Sequence, residues 1–340
     1  MRMLVWLCLA LFSAGCTAAP TRAGGPSPQP AASRAEAPTG TAGGTFARVN
    51  ADTRLLDVVE QPAFAGFGRF LLPTRRGLPD GSLTLRDAGY PLPYHTHVEV
   101  DTSVDVINSL LAAVDAGQTV FYDIYSEAAK AADPAKADTG LFFFRGEPDA
   151  PVAIISAGGG FAYVGSIHES LPHALELSRR GYNAFALQYR TGSAKAACED
   201  LAAAISFVYA HAEELGVDTA GYSLWGGSAG ARMAAYLGSY GPAAYGGDDL
   251  PRPGTVIMQY TGHGDYTTQD PPTFAVVGEN DGIANWRTMK ARIDALADAG
   301  IDTEFHRYPN LGHGFGLGVG TSAHGWLDDA VAFWERHLTR

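Results

Sequence analysis

The sequence predicts an α/β domain, a mostly parallel sheet with helices on both faces. Three observations carry that expectation. From residue 119 onward, short apolar runs alternate with amphipathic stretches of helical period. Gly181 and Gly300 stand where helix C-terminal caps belong. A glycine-rich turn, Gly226-Gly227-Ser228-Ala229-Gly230, joins an apolar run to a helical one.

Taken in order, the chain opens with Arg2 and an apolar run, Met3 to Phe12, too short to remain as a bilayer-spanning helix. It ends Ser13-Ala14-Gly15-Cys16. Small residues before a cysteine resemble the bacterial lipobox, although Ser13 stands where leucine is usual. The expectation is an exported chain with Cys16 lipidated as the first mature residue. The other reading is a plain secretory signal cut near Ala18 or Ala19. Residues 17–45 are rich in Pro, Gly, Ala, Ser and Thr and lack large apolar side chains. They cannot offset their ordering entropy by burial, which makes them a flexible tether.

Residues 46–118 carry one helical pattern, Val104, Ile107, Leu110, Leu111 and Val114, after an aromatic stretch punctuated by Pro and Gly. This segment is expected either to cap the site or to form a collar behind the sheet. The catalytic domain then spans 119–340, with strands at 119–124, 140–145, 152–156, 182–189, 220–225, 255–260, 273–278 and 303–308. Helices are expected at 166–180, 196–214, 229–240, 286–299 and 324–338. Only about a dozen residues separate the strands ending at 260 and beginning at 273, so little lid can be inserted there. The net charge of −12 and the lack of a basic run exclude nucleic acid as a partner. Three cysteines, two of them in the leader, give no disulfide framework, and Cys198 reads as a buried thiol.

The chemistry lies at strand ends. Ser228 sits in Gly-x-Ser-x-Gly between strand and helix, the setting of a nucleophile elbow. Asp281 follows the strand at 273–278, and His313 lies in the loop Gly312-His313-Gly314 after the last strand. A serine attacks an ester carbonyl efficiently only if a base removes its proton, and the base needs a carboxylate to fix its tautomer. Asp281 is preferred over Asp265, Asp270 and Asp298 because active-site loops gather at the carboxyl ends of strands. His313 is preferred over His306, inside a strand, and His324, at a helix start. Ser156-Ala157-Gly158-Gly159-Gly160 leaves amides unobstructed for an oxyanion hole, with Gly158, Gly159 and Ala229 as the donors.

These residues, with Tyr189-Arg190 and His313-Gly314-Phe315, resemble the α/β-hydrolase esterases over roughly residues 119–340. The similarity is greatest to the hormone-sensitive-lipase-like group and the acetyl(xylan) esterases. One departure is that Ala157 stands where the family's oxyanion stretch has histidine. The resemblance implies a serine ester hydrolase acting through an acyl-enzyme on small acyl groups, acetyl on carbohydrate included. It calls for no cofactor and no metal, and for no membrane contact except through a lipid anchor. The alternatives are a serine peptidase of the prolyl-oligopeptidase kind, for which no propeller-length segment is present, and a silent hydrolase fold used as a surface binding module. Four other features have bland explanations. His95-Thr96-His97 lacks further metal ligands nearby, and His168-Glu169 reads as polar residues at a helix start, with Glu169 able to line the pocket. Trp225 and Trp286 flank the nucleophile and acid loops, where either could shape the substrate site or simply pack the core.

Overall fold

The computed structural model describes residues 45–73 and 81–338. Cys16, the leader and the tether up to residue 44 lie outside the described residues. Among the described residues no helix is long and apolar enough to cross a membrane.

The described strands form one eight-stranded sheet. They are β1 (Phe121–Tyr122), β2 (Gly140–Phe144), β3 (Pro151–Ser156), β4 (Asn183–Gln188), β5 (Asp218–Gly227), β6 (Thr255–Gln259), β7 (Thr273–Gly278) and β8 (Thr303–Tyr308). Their spatial order is β1-β2-β4-β3-β5-β6-β7-β8. β2 runs antiparallel to both neighbours, and β3 to β8 pair in parallel. The exchange of β3 and β4 places the carboxyl ends of β3 and β5 side by side, with Ser156 level with Gly226. A crevice at such a crossover is where open α/β sheets bind ligands.

The central strands are continuous apolar runs because both faces are covered. α4 (Ser170–Arg179) packs on β3 and β4, and α7 (Ala229–Tyr240) on β5 and β6. α5 (Ala194–Ala210) and α6 (Ala212–Leu215) follow β4, while α8 (Trp286–Asp298) and α9 (Trp326–His337) flank the far strands. Trp225 of β5 packs against Trp326 and Trp334 of α9, with ring centroids 6.3 and 6.2 Å apart. Trp225 is therefore core. Trp286 instead is half-buried, with the guanidinium groups of Arg287 and Arg307 4.3 and 4.4 Å from its ring centroid.

Three expected elements differ from what forms. The strand at 119–124 pairs over only two residues, since it is the sheet edge. The helix expected at 166–180 begins at Ser170, because Glu169 takes a non-helical backbone (φ −115°, ψ −81°). The helix expected at 196–214 starts at Ala194, capped by the Ser193 hydroxyl, and breaks at His211.

In the 46–118 segment, α1 (Leu55–Val59) is short, and α2 (Val100–Asp115) covers the predicted pattern and packs on α4. α3 (Glu127–Ala132) lies in the loop after β1. The Asn108 side chain pairs with both the amide and the carbonyl of Val49. Phe67 stacks on Phe121 at 4.9 Å, which closes the apolar edge beyond β1.

Candidate active site

The turn after β5 determines what Ser228 can do. The chain passes from strand to α7 in one residue, and Ser228 adopts φ +51°, ψ −110°. A non-glycine residue is strained there by about 1–3 kcal/mol. The turn fits only because its neighbours are bare. A Cβ on Gly226 would strike the backbone of Gly230, and one on Gly230 the carbonyl of Ser156.

The Ser228 hydroxyl meets His313 Nε2 at 3.0 Å, and His313 Nδ1 meets Asp281 Oδ2 at 2.7 Å. The Asp281 side chain is fully buried, and its other oxygen accepts the amides of Ile283 (2.8 Å) and Ala284 (2.7 Å). That loop fixes which carboxylate oxygen faces the imidazole. The competing acids are elsewhere: Asp270 is buried against the Arg292 guanidinium, and Asp265 and Asp298 are exposed. His306 pairs with Glu304 on β8, and His324 is exposed before α9.

The histidine loop is held from several sides. The Thr96 hydroxyl donates to the His313 carbonyl at 2.7 Å, and the Thr96 amide to Gly314 at 2.9 Å. His168 Nε2 lies 3.0 Å from the Gly314 carbonyl, and burial pushes its imidazole down to about 4. At neutral pH that ring is uncharged, so its N–H donates to the carbonyl. Gln259 and Trp326 both donate to Gly316.

The glycine loop after β3 lies against the serine, and a Cβ on Gly158 would come within 2.8 Å of the Ser228 Cβ. Its donors differ from those expected. The Gly158 amide is not available to an oxyanion, because it donates to the buried carboxylate of Glu169. Among the described residues, the amides of Gly159, Gly160 and Ala229 take no partner. Ala229 N–H also opens α7, where the helix dipole favours negative charge. Gly159 and Ala229 remain as candidate donors, and Gly160 joins them.

Glu169 is the residue that sequence reasoning undervalued. It is fully buried and accepts the Gly158 amide, the Tyr260 hydroxyl (2.8 Å) and His95 Nε2 (2.9 Å). Burial pushes its carboxyl up, but His95 and the Gly158 amide outweigh that and hold it at about 2. Burial, with Glu169 alongside, drives the Tyr260 phenol well above its usual range, so it stays a donor. The Glu169 carboxylate lies 2.5 Å from where a Cβ on Gly227 would stand. It fills the space beneath the elbow. The missing loop histidine at Ala157 is thus replaced by two other holds, Glu169 on Gly158 and the Tyr189 hydroxyl on the Ala157 carbonyl (2.7 Å). Arg190 is structural: its amide and guanidinium bind the buried Asp200. His95 and His97 diverge, the first with its side chain 2 % exposed against Glu169 and the second open to solvent.

A family model described as BD-FAE matches residues 145–246, from the end of β2 through α7. That stretch holds the glycine loop, Glu169 and Ser228, but neither Asp281 nor His313. No curated protein matches the chain. Among solved structures, an acetyl ester-xyloside bifunctional hydrolase from Caldicellulosiruptor lactoaceticus is 21% identical, with TM-score 0.55, covering 64% of this chain and 95% of its own. An α/β hydrolase enzyme, MGS-M1, from a Medee basin deep-sea metagenome library is 23% identical, with TM-score 0.52 and coverage of 59% and 93%. The propionate-bound esterase Est2 from the Planctomycetes species Thermogutta terrifontis is 21% identical, with TM-score 0.51 and coverage of 58% and 89%. The sheet order, the crossover beside the elbow and these likenesses together show that the chain has the α/β-hydrolase fold.

Proposed function

We propose that this protein is a serine carboxylic-ester hydrolase that acts through an acyl-enzyme on short-chain esters, acetyl groups on carbohydrate included. The observation that carries it is the unbroken line from Ser228 Oγ to His313 to Asp281, at 3.0 and 2.7 Å, beside loop amides that have no partner among the described residues. In this reading Ser228 Oγ attacks the carbonyl carbon as its proton passes to His313 Nε2. The carbonyl oxygen takes up the negative charge and accepts N–H bonds from Gly159 and Ala229, and each such donor is worth about 3–4 kcal/mol of barrier. The C–O bond to the alcohol breaks as His313 returns the proton to the leaving oxygen. Water then repeats the sequence on the acyl-enzyme and frees the acid. Asp281 takes no proton and holds the imidazolium in place. The acetyl-carbohydrate class is supported by the likeness to the Caldicellulosiruptor acetyl ester-xyloside bifunctional hydrolase and by Tyr94. That ring is 40 % exposed and packs beside Gly160 of the glycine loop, where a sugar could stack.

A series of p-nitrophenyl esters from acetate to octanoate, run beside acetylated xylan and a peptide anilide, tests this. The kcat/KM is expected to peak at acetate or propionate and fall by at least about tenfold at octanoate, since each misfitted methylene costs a factor of that order. Anilide turnover faster than any ester would replace this reading with a peptidase.

A further inference from the structure

We propose that Glu169 is a positioning residue of the oxyanion loop, and that His95, brought in by the N-terminal segment, holds it in place. The inference rests on the esterase reading above.

The N-terminal segment does more than cover the sheet. Residues 94–96 lie across both loops of the candidate site. Thr96 binds the histidine loop through its amide and hydroxyl. His95 binds Glu169 through Nε2 and the Tyr163 hydroxyl through Nδ1, at 2.9 Å each. Tyr94 stacks on Tyr163, and its amide bonds the same hydroxyl at 3.1 Å. The crossing is close enough to dictate residue size beneath it. A Cβ on Gly165 would come within 2.6 Å of the His95 ring, and one on Gly314 would strike the backbone of Tyr94 and His95.

The consequence for the oxyanion loop follows from donors and acceptors. An amide that points at Glu169 cannot point at substrate, so the Gly158 peptide is fixed with its N–H turned inward. The next peptides, at Gly159 and Gly160, are thereby oriented by a bond made one residue earlier. The acceptor is a charged, fully buried carboxylate, which gives a stronger and shorter bond than a neutral one. Its own place is fixed by Tyr260 and by His95. Without His95 that carboxylate would lose one of its three hydrogen-bond partners in a dry site, where the remaining interactions must shift to compensate. A displacement of about 1 Å at an oxyanion donor costs about a hundredfold in rate.

The test uses the full chain and four proteins: wild type, E169Q, E169A and H95A. A fluorophosphonate probe first counts competent Ser228 per molecule, and all rates are expressed per labelled site, which removes any loss from misfolding. The expected result is a fall in kcat of about tenfold for E169Q, whose amide oxygen still accepts from Gly158 without the charge. E169A should fall about a hundredfold and H95A should lie between them, all with KM nearly unchanged. The Ki of a trifluoromethyl ketone, which adds to serine and places an oxyanion, should weaken by the same factors as kcat/KM. Equal kcat per labelled site in E169A, H95A and wild type would overturn the proposal, as would a loss confined to KM. Failure of the probe to label wild-type Ser228 would instead remove the esterase reading on which it rests.

Discussion

Ser228→Ala should lower kcat by at least about three orders of magnitude while leaving the folded chain intact. The oxygen of Ser228 is the atom that meets His313 Nε2, so its removal leaves only water and the loop amides to act. Alanine accepts the elbow backbone about as well as serine does, and among the described residues the Ser228 hydroxyl bonds only to His313. A fluorophosphonate should label wild type and leave the alanine variant unmarked. Labelling or full turnover in the variant would place the nucleophile elsewhere.

His313→Ala should cost about as much as Ser228→Ala, and the double variant little more than either, because the two act as one unit. Asp281→Asn is the sharper experiment. Asp281 Oδ1 accepts two backbone amides, so an asparagine there must turn its carbonyl oxygen to Ile283 and Ala284 and its NH2 toward His313. The imidazole then accepts at Nδ1 and carries its proton on Nε2, facing the serine it ought to deprotonate. The expected loss is about 10⁴-fold in kcat with an unchanged fold. Asp265→Asn, at an exposed position, should remain near wild type. Asp270→Asn should lower stability by about 3–5 kcal/mol by leaving Arg292 buried without its partner, yet keep kcat per folded molecule. Collapse of kcat in either of these with Asp281→Asn near wild type would show that another carboxylate serves His313.

Much of this was legible in the sequence because the signals are local. The elbow needs bare positions two before and two after the serine, and those glycines are visible in the chain itself. β3, β4, β6 and β7 are apolar runs bounded by turn residues, and they, with β5 and β8, each form within two residues of the predicted place. What stayed hidden depends on contacts across great chain separation. Thr96 reaches a partner 217 residues away, and nothing near residue 96 announces it. Glu169 looked like a polar residue at a helix start because its three donors come from residues 95, 158 and 260. A signal was present, though: with Ala157 in place of histidine, some other group had to hold the loop, and a carboxylate directly ahead of an apolar helix was a candidate. Trp225 was ambiguous for a simpler reason. Flanking the nucleophile says nothing about which face of β5 a side chain takes, and this one turns to α9.

The positive-φ turn at Ser228 implies that this protein is less stable than the same chain with glycine at that position. Glycine adopts φ +51° without penalty, whereas serine holds it only because the surrounding sheet and helix enforce it. A Ser228→Gly chain, expected to be inactive, should therefore melt at a higher temperature than the wild type, by about 1–2 °C for about 1 kcal/mol of released strain. Its greater chain entropy when unfolded works against this, so a melting point at or below that of Ser228→Ala would show that the elbow stores little. If the shift is upward, selection has kept a spring loaded beneath the nucleophile, and thermal hardening of this fold should be sought anywhere but there.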